Sequence, residues 1–111
     1  MNPVYRTYPS GTTGAQTPII VDYAVAPFTM NVACYVVADT LSYEVDFTLD
    51  DPNLEDPNDP AVRWFPDPNI PSSTSTSKVS AYSAPVRAIR VNITSNTGGL
   101  ELKVVQGYSI T

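Results

Sequence analysis

The strongest constraint on this chain is the alternation of side chains near its C-terminus, from Ala84 to Gly107. Read in steps of two, two runs each present one regular face, and an Asn- and Gly-rich stretch at residues 95–99 separates them. A period of two is the spacing of an extended strand, and such a turn sequence favours a β-hairpin. The residues on the two faces are Arg87, Ile89, Val91 and Ile93, then Leu100, Leu102 and Val104. The pattern predicts two long strands paired in a hairpin and an antiparallel β fold.

Five further segments read as strands, and the cleanest alternation is in Leu41–Leu49. The other four are Ile19–Val25, Phe28–Val37, Ala61–Phe65 and Lys78–Ser83. The 11 prolines belong in loops, edges or strand starts, because proline cannot donate to a sheet ladder. A chain of 111 residues has room for one core. We therefore predict a single-domain antiparallel β-sandwich, jelly-roll-like, with about seven short strands and long Pro-rich loops.

Residues 1–17 have no periodicity and are rich in Thr, Gly and Pro. We predict that they form an extended N-terminal arm, and that residues 18–111 form the β-sandwich domain. The arm contains four residues that we expect to contact a partner: Val4, Tyr5, Arg6 and Tyr8. Plain disorder of this segment is the alternative.

The composition argues against most catalytic chemistry. The chain has no histidine, the commonest general base and transition-metal ligand. Its only cysteine, Cys34, lies in an apolar run and is expected to be a small buried side chain rather than a reactive thiol. The net charge is −5 and the six basic residues are scattered, which argues against nucleic-acid binding. We expect no enzymatic activity and no cofactor.

An acidic, proline-rich run from Asp50 to Pro60 is predicted to be a loop. Its acids are Asp50, Asp51, Glu55, Asp56 and Asp59. A solvated loop held open by proline and like-charge repulsion is the main interpretation. Carboxylate oxygens suit calcium, so these residues are also a weak calcium candidate, although their spacing does not match an EF-hand.

The dipeptide Arg63-Trp64 is the second candidate site. A tryptophan beside an arginine is typical of an interface anchor or a sugar-stacking platform. Adjacent strand residues point to opposite faces, so we expect that one of Trp64 and Phe65 packs into the core and the other is exposed.

Three segments in order carry a resemblance to a protein family. They are the alternating run Tyr43–Thr48 followed by Asp50-Asp51, then Trp64-Phe65, then Ala84–Asn92 followed by a glycine turn and Val104–Gly107. Together they resemble the capsid decoration (staple or cement) proteins of tailed bacteriophages, those of short-tailed phages in particular. The resemblance spans roughly residues 41–107.

The resemblance implies a jelly-roll-like domain on the exterior of the mature virion capsid, reached after synthesis in the host cytoplasm. Such a protein ties neighbouring major capsid subunits together. It is expected to act as an oligomer, a homodimer first and a trimer as the alternative. The family supplies no catalytic residues.

Two other functions stay open. A carbohydrate-binding β-sandwich used in adsorption to the host surface would use Trp64 and the tyrosines as its platform. A small carboxylate-based hydrolase would need two acids held in a cleft. No apolar stretch reaches the length of a membrane span, and the N-terminus lacks the features of a signal peptide, so we expect no membrane partner.

Overall fold

The computed structural model describes residues 3–24, 28–37 and 41–107. Two residues of the predicted arm and Val25, the end of the first predicted strand, lie outside these ranges. Nine strands occur in the described residues: β1 (Val4–Tyr8), β2 (Gly14–Ala15), β3 (Ile19–Ile20), β4 (Thr29–Val36), β5 (Leu41–Thr48), β6 (Trp64–Pro66), β7 (Lys78–Tyr82), β8 (Ala88–Asn96) and β9 (Leu100–Gly107).

The strands form two antiparallel sheets. Sheet I has the order β1-β9-β4-β7, and sheet II has the order β2-β8-β5-β6, with β3 also paired to β8. No helix occurs in the described ranges, so none there is long and apolar enough to cross a membrane. The prediction of an all-β antiparallel fold is confirmed, with two more strands than expected.

The core lies between the two sheets, because alternate residues of the long strands point inward. Strands β4 and β9 contribute Met30, Val32, Cys34, Leu100, Leu102 and Val104 to one buried cluster. Strands β5 and β8 contribute Leu41, Tyr43, Val45, Ile89, Val91 and Ile93 to the same cluster. Two sheets that share one core in this way are compatible with a β-sandwich.

The predicted C-terminal hairpin is wrong, although both of its strands exist. Strand β8 pairs with β2, β3 and β5 in sheet II, whereas β9 pairs with β1 and β4 in sheet I. The turn at residues 97–99 therefore passes from one sheet to the other. Period-two patterning identifies the buried face of a strand but not its neighbours, and distant segments compete for the same ladder.

The Asn96 side chain holds this crossing in place. Its Nδ2 donates to the carbonyl oxygens of Pro9 and Thr12, at 3.0 and 3.2 Å, and its Oδ1 accepts from the amide of Gly99 at 2.7 Å. Gly99 has a φ of 96°, a left-handed conformation that a side chain would strain. One buried asparagine thus ties the turn to the N-terminal segment.

The described part of the predicted arm belongs to the sheets. Strand β1 pairs with β9 along its whole length, from Val4 opposite Val104 to Tyr8 opposite Leu100. This corrects the expectation of an arm for residues 4–8. The backbone of β1 supplies hydrogen-bond partners to the edge of β9 that β4 does not occupy. The side chains of Val4 and Tyr8 point inward from β1 and add apolar area to the core.

Candidate functional site

The outer face of sheet I is apolar over four strands. Register places Tyr5, Lys103, Ala33 and Val79 side by side in one row across β1, β9, β4 and β7. The large apolar side chains on this face are exposed: Tyr5 by 66%, Tyr35 by 57%, Val79 by 66% and Val105 by 47%. We call this surface, with Ala33, Ala81, Glu101 and Lys103, the sheet I face.

The sheet I face suits contact with another macromolecule. Its backbone is hydrogen-bonded within the sheet, so the surface is rigid, and a contiguous exposed apolar patch is a feature of interaction sites. The Lys103 Nζ lies 5.7 Å from the centre of the Tyr5 ring, a cation–π contact that orients the tyrosine. Sequence reasoning missed this face. Its signal is the outward half of the β4 alternation, Asn31, Ala33 and Tyr35, which contains no charge.

The outer side of sheet II is polar and is organised by Arg90. Its Nε donates to Asp46 Oδ2 at 3.1 Å, its Nη1 donates to the carbonyl oxygen of Pro57, and its guanidinium lies 4.5 Å from the centre of the Trp64 ring. The Arg90 and Asp46 side chains are only 12% and 7% exposed. This buried ion pair therefore fastens the acidic loop against sheet II.

Glu44 joins the same network from the next outward position of β5. Burial, the negative charge of Asp46 and a hydrogen bond with Asp46 together raise the pKa of Glu44, and the positive charge of Arg90 opposes the rise. Glu44 and Asp46 are thus two acids that the fold brings together. Asp46 accepts from Arg90, so this pair helps to hold the loop.

The carboxylates of Asp50 and Asp59 accept hydrogen bonds from the acidic loop itself and from the residues that follow it. Asp50 Oδ2 accepts from the amide of Arg63 at 2.8 Å, and Asp59 accepts from Asn53 Nδ2 at 3.0 Å and from the Ala61 amide at 2.9 Å. These hydrogen bonds from Asn53 and Ala61 lower the pKa of Asp59. Such side-chain to backbone bonds are typical of Asx turns.

The weak calcium candidate gains no support from this geometry. Within the described residues, no three acidic or cysteine side chains are grouped so that they would hold a metal ion. Asp51 instead faces Arg87, with 3.6 Å between carboxylate oxygen and guanidinium nitrogen. The structure does not bring Asp50, Asp51, Glu55, Asp56 and Asp59 together as ligands.

Strand β6 carries Trp64 and Phe65 at the edge of sheet II. Trp64 is half-buried under Arg90, and Phe65 is 49% exposed and stacks on Phe47 with ring centres 5.8 Å apart. The expectation that one of the two packs into the core is wrong. A three-residue edge strand lies at the rim of the sheets, so even its inward side chain meets only the margin of the core.

An open cleft of about 450 Å³ adjoins Trp64. Its lining includes Asn58 and Asp59 from the end of the acidic loop, Arg63 just before β6, and Trp64 and Phe65 within β6. An aromatic ring with hydrogen-bonding groups around it is the chemistry that a sugar ring requires.

The predicted partner-binding residues divide between distant places. Val4 is partly buried against the core and Tyr8 lies within it, whereas Tyr5 lies on the sheet I face. Arg6 is exposed on the edge strand β1. Trp64 is the first residue of β6 in sheet II, and Arg63 directly precedes it. The structure therefore does not form one site from this set.

Cys34 is buried, as predicted. Burial, and then the negative charge of Asp67, raise the pKa of its thiol to about 12, and a hydrogen bond with Tyr43 opposes them. Since the thiolate is the nucleophile, this cysteine is inert at neutral pH.

Asp67 is a buried acid that sequence reasoning missed. It is 1% exposed, and it accepts from the Tyr82 hydroxyl at 2.5 Å and from the Asn69 amide at 2.8 Å. Burial, the hydrogen bond to Asp67 and the charge of Asp67 raise the pKa of Tyr82. The available signal was Pro66-Asp67-Pro68, a turn sequence. Asp67 links the loop after β6 to β7 and so spans the two sheets.

Comparison of the chain with protein-family models, curated proteins and solved structures found no match.

Proposed function

We propose that this protein is a virion structural protein that decorates the outside of a tailed-phage capsid and ties neighbouring major capsid subunits together, stabilising the mature head. The observation that carries the proposal is the sheet I face, a rigid apolar surface with Tyr5, Tyr35 and Val79 exposed. The phage assignment is supported by the resemblance over roughly residues 41–107.

The topology supports a jelly roll as the finer description of the fold. The strand orders β1-β9-β4-β7 and β2-β8-β5-β6, the latter with β3 also paired to β8, give one sheet of four strands and one of five, between which the chain crosses repeatedly. Jelly rolls are double sheets of eight strands, and viral capsid domains use them.

The protein would work by binding alone. Burial of the exposed apolar side chains supplies free energy at roughly 25 cal/mol per Å². A homodimer, with a trimer as the alternative, presents two or more such faces, so it can bridge two capsid subunits. Because the second contact is then intramolecular, a weak single contact is sufficient.

Co-sedimentation with heads tests this proposal. Purified protein is mixed with expanded heads that lack it, and separately with free major capsid protein. We expect saturable binding to the expanded heads and no binding to the free subunits, and decorated heads should release their DNA at a higher temperature than bare heads. Failure to co-sediment with undecorated expanded heads would end the proposal.

The Trp64 cleft favours a second candidate, carbohydrate binding during adsorption. A glycan array probed with and without calcium tests it. Binding by the wild type that Trp64→Ala abolishes and Tyr35→Ala retains would support this function. An array with no binding in either condition would rule it out.

A further inference from the structure

Within the described residues the two sheets have four outer edges, and proline shortens or bounds three of them. On sheet II, β2 and β3 have two residues each and are separated by Pro18, and β6 ends in Pro66. On sheet I, β1 lies directly between Pro3 and Pro9. Proline at a sheet edge is one of the means by which proteins prevent edge-to-edge pairing. The edge strand β7 has no proline within two residues of either end, so it is the edge without this protection.

The direction of the backbone groups in β4 shows which of its residues bond to β7. The Val36 amide donates to Ser77 Oγ, which directly precedes β7, at 2.9 Å. The next amide, that of Val37, donates to the Gly99 carbonyl oxygen on the β9 side. Backbone groups alternate in direction along a strand, so the even-numbered residues of β4 bond to β7 and the odd-numbered ones to β9.

The backbone groups of Val79 and Ala81 therefore point to the free edge of β7. Register places Lys78, Ser80 and Tyr82 opposite even-numbered residues of β4, so these three make the ladder bonds. No backbone partner for Val79 or Ala81 on the other side is found in the part of the chain that the structure describes. The Val79 side chain is also 66% exposed. Such an edge is a template for the addition of another strand.

We infer that β7 pairs with β7 of a second copy, antiparallel about a two-fold axis, so that sheet I continues through eight strands, four from each copy. Pairing over the whole strand places Ser80 on the axis and Val79 opposite Ala81 of the other copy. Each Val79 then exchanges both of its outward hydrogen bonds with the Ala81 opposite it, which satisfies the free groups of both copies. The role of this dimer on the capsid rests on the proposed function.

The same register brings opposite charges together. Lys78 of one copy lies opposite Tyr82 of the other, and the Tyr82 hydroxyl donates to the buried Asp67 at 2.5 Å. Tyr82 and Asp67 line an open cleft of about 410 Å³ beside β7. Lys78 is in the inward-facing row of Cys34, and the cleft lies on that side of sheet I. Neither Lys78 nor Asp67 has an ion pair within the described ranges, so a second copy supplies the complementary charge.

The dimer also enlarges the docking surface. Four strands about 4.8 Å apart, with eight residues at about 3.3 Å each, give one sheet I face an area of about 500 Å². A standard stable interface buries about 800 Å² on each partner. Because the two-fold axis is perpendicular to the sheet, the two faces lie side by side and together present about 1,000 Å². The β7 contact itself is short, so we expect a reversible dimer that becomes more stable when both halves rest on one shell.

Two proline substitutions in the full chain test the contact. Ala81→Pro removes an outward amide of β7. Thr7→Pro is the matched control on β1, because Thr7 lies opposite Glu101, whose backbone groups face β4 as those of Gly99 do. Proline is tolerated in an edge strand where the N–H would face solvent. Thermal melts check the folding of each variant, sedimentation velocity over a wide range of concentration measures self-association, and amide hydrogen exchange followed by NMR locates the contact.

We expect a concentration-dependent dimer of the wild type, with Thr7→Pro within about twofold of its dissociation constant and Ala81→Pro at least about tenfold weaker. In the wild type, the amides of Val79 and Ala81 should exchange slowly in concentrated protein and rapidly in dilute protein. The amides of Tyr5 and Thr7 should exchange rapidly in both. Ala81→Pro should also bind expanded heads at least about tenfold more weakly than the wild type, because it loses the second contact.

The outcomes separate this inference from the proposed function. A wild type that stays monomeric, a trimer, or a dimer that Ala81→Pro retains would each overturn the β7 contact, and head binding by that protein would leave the proposed function standing. Rapid exchange at Val79 and Ala81 in the concentrated wild type would overturn the contact even if Ala81→Pro does not fold. A dimer with the expected exchange pattern that does not bind expanded heads would support the contact and overturn the proposed function.

Discussion

Replacing Asn96 with alanine should destabilise the protein far more than a typical substitution in a strand. The Asn96 side chain is 5% exposed and makes three short hydrogen bonds to backbone groups of two separate segments. Alanine keeps the strand but removes every one of these bonds, so the turn between the sheets and the segment around Pro9 lose their common anchor.

The expected decrease in the free energy of unfolding follows from the hydrogen-bond partners of Asn96. The amide of Gly99 is buried and would be left unsatisfied, which costs about 1–3 kcal/mol. The carbonyls of Pro9 and Thr12 are half-buried and can regain water, so each lost bond contributes about 0.5–1 kcal/mol. The free energy of unfolding should fall by about 3 kcal/mol, which in a domain of this size corresponds to a decrease in Tm of roughly 10–20 °C.

Urea unfolding followed by circular dichroism measures this loss. Asn92→Ala is the matched control, because Asn92 lies in the same strand with its side chain on the outer side of sheet II. We expect the control to change stability by no more than about 0.5 kcal/mol. If Asn96→Ala costs less than about 1 kcal/mol, or no more than the control, then Asn96 does not anchor the crossing and the reasoning is refuted.

Three further predictions concern the charged network and the thiol. Arg90→Met should lower the free energy of unfolding, measured in urea, by about 3 kcal/mol, because it leaves Asp46 buried without its partner. Adding Asp46→Asn to this variant should restore part of the lost stability. Equal stability of Arg90→Met and wild type would contradict this prediction. Because the fold raises the pKa of Glu44, the folded protein favours its protonated form, and stability is lost as the pH rises from the ordinary carboxyl pKa through the raised one. Glu44→Gln should therefore be more stable than wild type at pH ~7 and equal to it at pH ~3, and the reverse order would show that the shift has the other sign. Cys34 should not react with a disulfide reagent at pH ~8 in the folded protein and should react fully in urea, and rapid labelling of folded protein would refute its burial.

The strands were the most predictable part of the fold. The alternation in Leu41–Leu49 matches β5, and the strongly patterned C-terminal runs match β8 and β9 within a few residues. In each case the apolar positions are those that the core buries. The two-residue alternation of side chains follows from the geometry of an extended chain, so it can be recognised in the sequence without knowing what the strand packs against.

The candidate sites were less predictable. Trp64 was singled out for its residue type, but its contact with Arg90 depends on β6 pairing with β5 and β5 pairing with β8. The sheet I face was missed because its residues come from four strands spread from Tyr5 to Val105. No local window of sequence contains such a surface.

The sequence by itself determined the class of this protein: a single antiparallel β chain, acidic, free of histidine, with a buried cysteine and a proline-rich acidic loop. Only the tertiary structure decided which strands are neighbours, and so that β8 and β9 lie in different sheets and that Val4–Tyr8 completes the edge of sheet I. The reason is physical: side-chain alternation is local, but a strand's backbone groups accept any partner of compatible register. The choice between near and distant partners is made by the total apolar area that the assembled core buries.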